Sequence, residues 1–179
     1  MGFYFNQARC SGCFTCVLAC QQWHGIDRDS VQWRWVTTLE SGEFPEVSLD
    51  FLSLSCCHCA KPACIEICPV NAIHKREDGV VLIDQESCLG KDSCGQCLDA
   101  CPYKAPKFDQ VTDAKAEMCN FCVDRLAEGK EPLCVAACPC RALEVGPLDQ
   151  LKEIYGALDN IPGFVVSSEL RPSIVFKRK

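Results

Sequence analysis

Cysteine spacing constrains this chain more than any other feature. The chain has 179 residues and 18 cysteines, and all but Cys57 and Cys140 fall into four runs of four. In every run the last two cysteines are separated by three residues, and in three of the runs a proline follows. The runs are Cys10, Cys13, Cys16 and Cys20; Cys56, Cys59, Cys64 and Cys68; Cys88, Cys94, Cys97 and Cys101; and Cys119, Cys122, Cys134 and Cys138.

This spacing is typical of bacterial ferredoxins, in which such runs ligate a cubane [4Fe-4S] cluster. A cubane presents four irons at tetrahedral corners, and one tight loop of thiolates reaches only three of them. The fourth corner must be filled from elsewhere, and in two-cluster ferredoxins each run lends its last cysteine to the cluster of the other run. We therefore predict that the runs work in pairs.

The pairing follows from a hairpin signal between the second and third runs. Asp78-Gly79 stands there between residues 72–77 and 80–83, and a hairpin at this place is what a two-cluster ferredoxin repeat contains. This favours pairing the second run with the third, which leaves the first to pair with the fourth. The predicted ligand sets are quartet 1 (Cys10, Cys13, Cys16, Cys138), quartet 2 (Cys20, Cys119, Cys122, Cys134), quartet 3 (Cys56, Cys59, Cys64, Cys101) and quartet 4 (Cys68, Cys88, Cys94, Cys97), one [4Fe-4S] cluster each.

Two runs depart from the pattern. Gln21 stands where the other runs have proline, and Lys91-Asp92-Ser93 is interpreted as a three-residue insertion between Cys88 and Cys94. A longer loop can still return Cys88 to its iron, which is the preferred interpretation. The alternative is a labile or three-iron cluster at this site.

The remaining residues with reactive side chains do not predict an enzyme active site. Cys57 and Cys140 are interpreted as spare buried thiols, the alternatives being replacement ligands or redox thiols. His58 lies between two predicted ligands, and a packing or supporting role is preferred because the thiolate count is complete. No catalytic nucleophile with a base, no G-x-G-x-x-G and no P-loop is present, so no catalytic residue is predicted.

Composition further narrows the class of protein to which the chain can belong. So many cysteines indicate a disulfide scaffold only in a small secreted chain, and the opening residues 1–6 have neither a basic start nor an apolar run. Metal binding in a reducing compartment is therefore expected. No apolar stretch approaches the roughly 20 residues of a membrane span. The net charge of −6 makes nucleic acid an unsuitable partner.

Short elements are predicted around the runs. Strands are expected at residues 3–5, 31–36, within 47–54, and at 142–145, and a helix at 148–155. All three tryptophans, Trp23, Trp33 and Trp35, precede the second run. They either cover a cluster, which is the preferred interpretation, or form a docking face.

The motifs resemble the four-cluster iron–sulfur subunits of the molybdopterin oxidoreductases over nearly the whole chain. The likeness is carried by the first two runs, with Ser55 and His58 inside the second motif, and by five further segments. These are His74-Lys75-Arg76-Glu77-Asp78-Gly79, Cys101-Pro102-Tyr103-x-Ala105-Pro106, Asp124-Arg125-Leu126-Ala127-Glu128-Gly129-Lys130, Gly146-Pro147-Leu148-Asp149 and Arg171-Pro172-Ser173-Ile174-Val175.

The resemblance implies an α+β fold of two ferredoxin-like units with loop-rich connections, one inserted in the other. The first unit would span 1–50 and 105–160, the inserted unit 51–104, and an extended tail 161–179. It also implies a catalytic partner with a molybdenum or tungsten bis-pterin cofactor, and a quinone-reactive membrane subunit. The chain itself would be peripheral to the membrane through its partners or cytoplasmic, and export with a signal-bearing partner is compatible with it.

We therefore expect a non-catalytic subunit that relays single electrons through four [4Fe-4S] clusters. Two alternatives stay open at this stage. One is a free-standing polyferredoxin carrier, and the other is a multi-zinc structural module, since zinc sites also use Cys-x2-Cys pairs.

Overall fold

The computed structural model describes residues 1–27, 30–156 and 160–179, in which short helices and strands alternate. The helices are α1 Thr15–His24, α2 Ala63–Glu66, α3 Gln96–Ala100, α4 Val123–Ala127, α5 Leu133–Ala136 and α6 Leu148–Tyr155. The strands are β1 Gly2–Asn6, β2 Arg34–Ser41, β3 Ser48–Ser55, β4 Ile73–Lys75, β5 Val81–Ile83, β6 Leu143–Gly146, β7 Asn160–Ile161, β8 Phe164–Val165 and β9 Ile174–Lys177. The mixed helix and sheet content agrees with the predicted α+β class.

A three-stranded sheet in the order β6-β1-β9 joins distant parts of the chain. β1 pairs antiparallel with β6, with Phe3 opposite Val145, and parallel with β9, with Phe5 opposite Phe176. Every residue of β1 is buried, and its three aromatic residues, Phe3, Tyr4 and Phe5, follow one another without polar alternation, as in strands covered on both faces. The predicted strands at 3–5 and 142–145 are confirmed.

The two faces of β1 pack against different neighbours. Phe3 lies against Phe121, with ring centroids 4.4 Å apart, and faces the cysteine-rich core. Tyr4 points the other way and stacks on Tyr155 of α6 at 3.7 Å. Helix α6 begins and ends at the residues predicted from the sequence. It therefore covers the sheet face that lies away from the cysteines.

Two antiparallel hairpins complete the sheet structure around the second run. β2 pairs with β3 over eight residues, from Arg34 opposite Ser55 to Ser41 opposite Ser48. The sequence placed the first of these strands at 31–36, which is three residues too early. β4 pairs with β5, and Asp78 accepts a hydrogen bond from the Val80 backbone N–H at 3.0 Å. The predicted hairpin at Asp78-Gly79 is confirmed.

The last twenty residues pack along the rest of the chain. β7 and β8 form a small hairpin, and β9 then joins the central sheet. Between them, the carbonyl of Arg171 accepts from the Ala60 N–H and the Ser173 N–H donates to the Cys57 carbonyl, both at 2.8 Å. The segment thus holds the loop of the second cysteine run in place.

Candidate iron–sulfur centres

Three of the four predicted quartets each line a single small cavity. The walls of these cavities are almost entirely apolar apart from the thiols, which suits an iron–sulfur cluster shielded from water. The cavity of quartet 1 also contacts Phe5, Val36 and Leu143, and that of quartet 3 contacts Val81 and Met118. The lining cysteines are Cys10, Cys13, Cys16 and Cys138; Cys56, Cys59, Cys64 and Cys101; and Cys68, Cys88, Cys94 and Cys97.

Quartet 2 lies deepest, and all four of its cysteines are buried. Helix α1 packs against α5, which brings Cys20 near Cys134. Burial is the main reason that the pKa of the Cys20 thiol is raised, and the nearby Cys119, Cys134 and Cys122 raise it further, while Arg34 opposes them. The structure therefore brings together the four members of this quartet as well. Ligation by each quartet stays a prediction.

The donor set fits [4Fe-4S] clusters. Burial raises the pKa of Cys59 and Cys97 to about 11 and that of Cys64 and Cys122 to about 12. Without metal these thiols are protonated at neutral pH, and they must lose their protons to become ligands. Four thiols around one apolar space are the donors that an iron–sulfur cluster requires.

Proline explains how the last cysteine of a run leaves its own loop. After the Cys-Pro pairs the chain turns, and the second residue past the proline has positive φ: 53° at Asn71, 51° at Lys104 and 47° at Arg141. Proline removes a backbone donor and disfavours continued helix. In the first run Gln21 replaces it, and α1 continues past Cys20 to His24. The departure noted in the sequence thus lengthens one helix.

The inserted residues of the third run fold back on a neighbouring loop. The Lys91 N–H donates to the carbonyl of Ala114 at 2.8 Å, and Asp92 accepts from the Asp113 N–H at 2.9 Å. This leaves Cys88 and Cys94 facing the cavity of quartet 4. The insertion is therefore accommodated outside the predicted site.

The two spare cysteines lie beside two of the quartets. Cys57 is buried, 2% exposed, and borders the cavity of quartet 3, while the half-buried Cys140 borders that of quartet 1. Cys140 also lies 3.4 Å from the hydroxyl of Ser11. His58 is buried, and its Nδ1 accepts from the Val81 N–H at 3.0 Å, which agrees with the preferred packing role.

Sequence reasoning missed two residues beside the quartets. Nε2 of His24 lies 3.4 Å from Sγ of Cys122, and its ring packs on Trp33 with centroids 4.6 Å apart. Arg34 is buried and hydrogen-bonds to Ser53 and Ser55. Both sets of contacts join distant parts of the chain, and no spacing rule points to either.

Comparisons with known proteins independently point to iron–sulfur clusters. The family model described as a 4Fe-4S dicluster domain matches residues 47–148. The B subunit of anaerobic dimethyl sulfoxide reductase from Escherichia coli (strain K12) is 40% identical over 98% of this chain and 87% of its own length. The chain therefore belongs to this family of iron–sulfur electron-transfer subunits.

Two further relatives widen the family. The formate dehydrogenase iron-sulfur subunit of Wolinella succinogenes is 36% identical, over 85% of this chain and 84% of its own length. The thiosulfate reductase electron transfer subunit PhsB of Salmonella typhi is also 36% identical, over 81% and 74%. The predicted family, electron-transfer role and [4Fe-4S] cofactors are confirmed, and the zinc and polyferredoxin alternatives are not favoured. Among the described residues, none of the helices has the length and apolar character to cross a membrane.

Proposed function

We propose that this chain holds four [4Fe-4S] clusters in single file, one in each quartet, and relays single electrons from one end of the file to the other. The proposal rests on the succession of neighbouring thiols between quartets. Each quartet has a thiol that lies close enough to a thiol of the next quartet to interact with it electrostatically. The neighbouring thiols are Cys134 and Cys16 for quartets 2 and 1, Cys119 and Cys56 for quartets 2 and 3, and Cys97 and Cys64 for quartets 4 and 3. In each case the neighbour raises the pKa of the second thiol, after the larger effect of burial.

Exposure of the quartets supports the same order. Quartet 2 is wholly buried, and Cys56 and Cys64 of quartet 3 are buried too. At the ends of the file, Cys13 of quartet 1 is exposed and Cys94 of quartet 4 is half-buried. When bound, each cluster accepts and donates one electron. The protein fixes the positions of the clusters, excludes water from the middle of the file and leaves its ends open to redox partners.

We further propose that two ferredoxin-like units carry the file, one inserted in the other. The pairing of β1 with β6 and the packing of α1 on α5 connect the first and fourth runs. The β4–β5 hairpin and the packing of α2 on α3 connect the second and third. The proposed bounds are 1–50 with 105–160 for the first unit, 51–104 for the inserted unit and 161–179 for the tail.

The partners are proposed from the relatives. Their names describe subunits of a dimethyl sulfoxide reductase, a formate dehydrogenase and a thiosulfate reductase. By analogy, this chain is a non-catalytic subunit between a molybdenum or tungsten bis-pterin catalytic subunit and a quinone-reactive membrane subunit. It would then be peripheral to the membrane through its partners.

Anaerobic co-purification tests this role. The chain, tagged and expressed in its native organism, should remain bound to a large pterin-containing subunit through gel filtration. Rapid mixing of that complex with a reduced quinone analogue or with the catalytic substrate should bleach or restore the iron–sulfur absorbance within the turnover time. A chain that purifies alone and exchanges electrons equally with unrelated enzymes would instead be a free carrier.

A further inference from the structure

Arg34 carries a positive charge into the interior of the protein. It is the first residue of β2 and is only 2% exposed. Its guanidinium donates to the hydroxyls of Ser53 at 3.1 Å and Ser55 at 2.9 Å, and its central carbon lies 4.8 Å from the centroid of the Phe3 ring. All three of these neighbours are neutral.

Such a charge needs a counter-charge. An isolated buried ion is strongly unfavourable, and buried charges are therefore paired or bound to other charged groups. Within 1–27, 30–156 and 160–179, none of the ion pairs involves Arg34. The negative charge must come from another kind of group.

Cysteine sulfurs of two quartets supply that charge once they are thiolates. Arg34 begins β2, which packs against helix α1, and α1 carries the buried Cys16 of quartet 1 and Cys20 of quartet 2. Ser53 links Arg34 to the first of these directly, since its hydroxyl oxygen lies 3.4 Å from Sγ of Cys16. Because this oxygen accepts from Arg34, its own proton is free to point at the sulfur.

We propose that Arg34 is the counter-charge shared by quartets 1 and 2, and that it raises the reduction potentials of the two clusters these quartets hold. The inference rests on the proposed cluster content. One-electron reduction adds one negative charge to a cluster, with the electron supplied by a redox partner, and no protein bond forms or breaks. A fixed cation stabilises the more negative form, and local charge and hydrogen bonds to sulfur are known levers on such potentials.

The test is an anaerobic redox titration of the whole chain, followed by electron paramagnetic resonance. Arg34→Met removes the charge but keeps a side chain of similar length. In this variant two of the four midpoint potentials should fall, and the other two should keep their wild-type values. Arg34→Lys should restore most of the difference. Because the charge is buried, the fall should be the same at low and high ionic strength.

Arg125→Met is the matched control. Arg125 also lies over an aromatic ring, 4.9 Å from the centroid of Trp23, but it is only half-buried and its guanidinium makes a solvent-exposed hydrogen bond to the carbonyl of Glu131. Its removal should leave all four potentials nearly unchanged and any small effect should vanish in salt. A purely structural role for Arg34 would give unchanged potentials in those clusters that still assemble.

A smaller change keeps the proposal testable if Arg34→Met assembles poorly. Ser53→Ala leaves the cation in place but removes the hydroxyl between it and Cys16, so one potential should fall. Unchanged potentials in Ser53→Ala and in the assembled Arg34→Met clusters would overturn the inference. Iron analysis of the wild-type chain separates the two claims. A chain with fewer than about 16 irons would overturn the four-cluster proposal, whereas a full count with unmoved potentials would overturn the role of Arg34 alone.

Discussion

The two pairs of cysteine runs surround the same kind of site with different charges. Beside the first and fourth runs, Arg34 is buried and His24 contacts a cysteine sulfur. Beside the second and third, Lys75 donates to the carbonyls of Cys59 and Ala60 from an exposed position. Solvent and salt screen an exposed cation far more than a buried one. If the proposed assignment holds, cysteine spacing determines what is bound, whereas the surrounding side chains tune how easily it is reduced.

The largest effect is expected when one cysteine is replaced in each of the two pairs of runs. Cys134→Ser lies in the wholly buried quartet 2, where no water can replace the sulfur, so about four irons should be lost per chain. Cys94→Ser lies in the half-buried loop of quartet 4 and should lose at most about one iron, leaving a three-iron cluster. Iron analysis and electron paramagnetic resonance measure both.

Cys140→Ser is the control for these variants. It borders the cavity of quartet 1 but is outside the predicted ligand sets, so the full iron content should remain. Loss of iron from Cys140→Ser, with Cys138→Ser unaffected, would show that the fourth ligand of quartet 1 has been misassigned.

A second test concerns the loop that wraps quartet 1. Gly12 has φ of 68°, and a Cβ there would overlap the ring of Phe51. Overpacking costs about 1–3 kcal/mol and a left-handed alanine about 1–2 kcal/mol. At about 2–4 °C per kcal/mol for a chain of this size, Gly12→Ala should lower the apparent unfolding temperature by roughly 4–20 °C. Anaerobic thermal unfolding followed by iron–sulfur absorbance measures the change.

Gly25→Ala separates strain from crowding. Gly25 has φ of 62° at the end of α1, but a Cβ there would meet nothing within 4 Å. Only the left-handed conformation is penalised, and we expect a fall of about 2–8 °C, less than for Gly12→Ala. Equal effects of the two substitutions would mean that contact with Phe51 does not hold the loop.

A third, smaller effect is expected at His24. His24→Phe keeps an aromatic ring beside Trp33 but removes the nitrogen that lies 3.4 Å from Sγ of Cys122. Loss of a hydrogen bond to a ligand sulfur lowers the potential of a cluster, so one midpoint potential should fall. The exposed His74 provides the control, and His74→Phe should leave every potential in place. A fall shared by all four clusters would argue against a local contact.

The smallest effect lies far from the clusters, at the outer face of the sheet. The Tyr155 hydroxyl donates to Glu144, which raises the pKa of Tyr155 to about 12. The raised value adds stability that is present below about pH 10 and is lost as the pH rises through 12. Tyr155→Phe keeps the stacking on Tyr4 and should cost no more than about 1 kcal/mol at neutral pH.

Denaturant unfolding and a tyrosinate absorbance titration check this prediction. The titration should show one tyrosine fewer at high pH in the variant, while iron content and all four potentials stay at their wild-type values. A change in any potential would mean that the outer sheet face is coupled to the clusters.

The sequence predicted those features that depend on local patterns. Turn chemistry at Asp78-Gly79, the apolar strand at 3–5 and the helix at 148–155 each depend on neighbouring residues. Cysteine spacing also predicted four groups of residues that the fold brings close together. The reason is that cubane geometry requires each run to supply its last cysteine to the cluster of the other run.

Features that depend on contacts between distant parts of the chain were not predicted from the sequence. Arg34 looks like an exposed polar residue in an alternating strand, and only the opposite strand, with Ser53 and Ser55, explains its burial. His24 reaches a cysteine 98 residues away. The strand at 31–36 was placed too early because alternation alone does not show where pairing begins.

Metal and sulfide analysis of the anaerobically purified chain tests the central claim most directly. Four clusters in four quartets predict about 16 irons and about 16 acid-labile sulfides per chain, with a brown colour that dithionite bleaches. A folded, colourless chain without iron, or one with zinc in the quartets, would contradict the account.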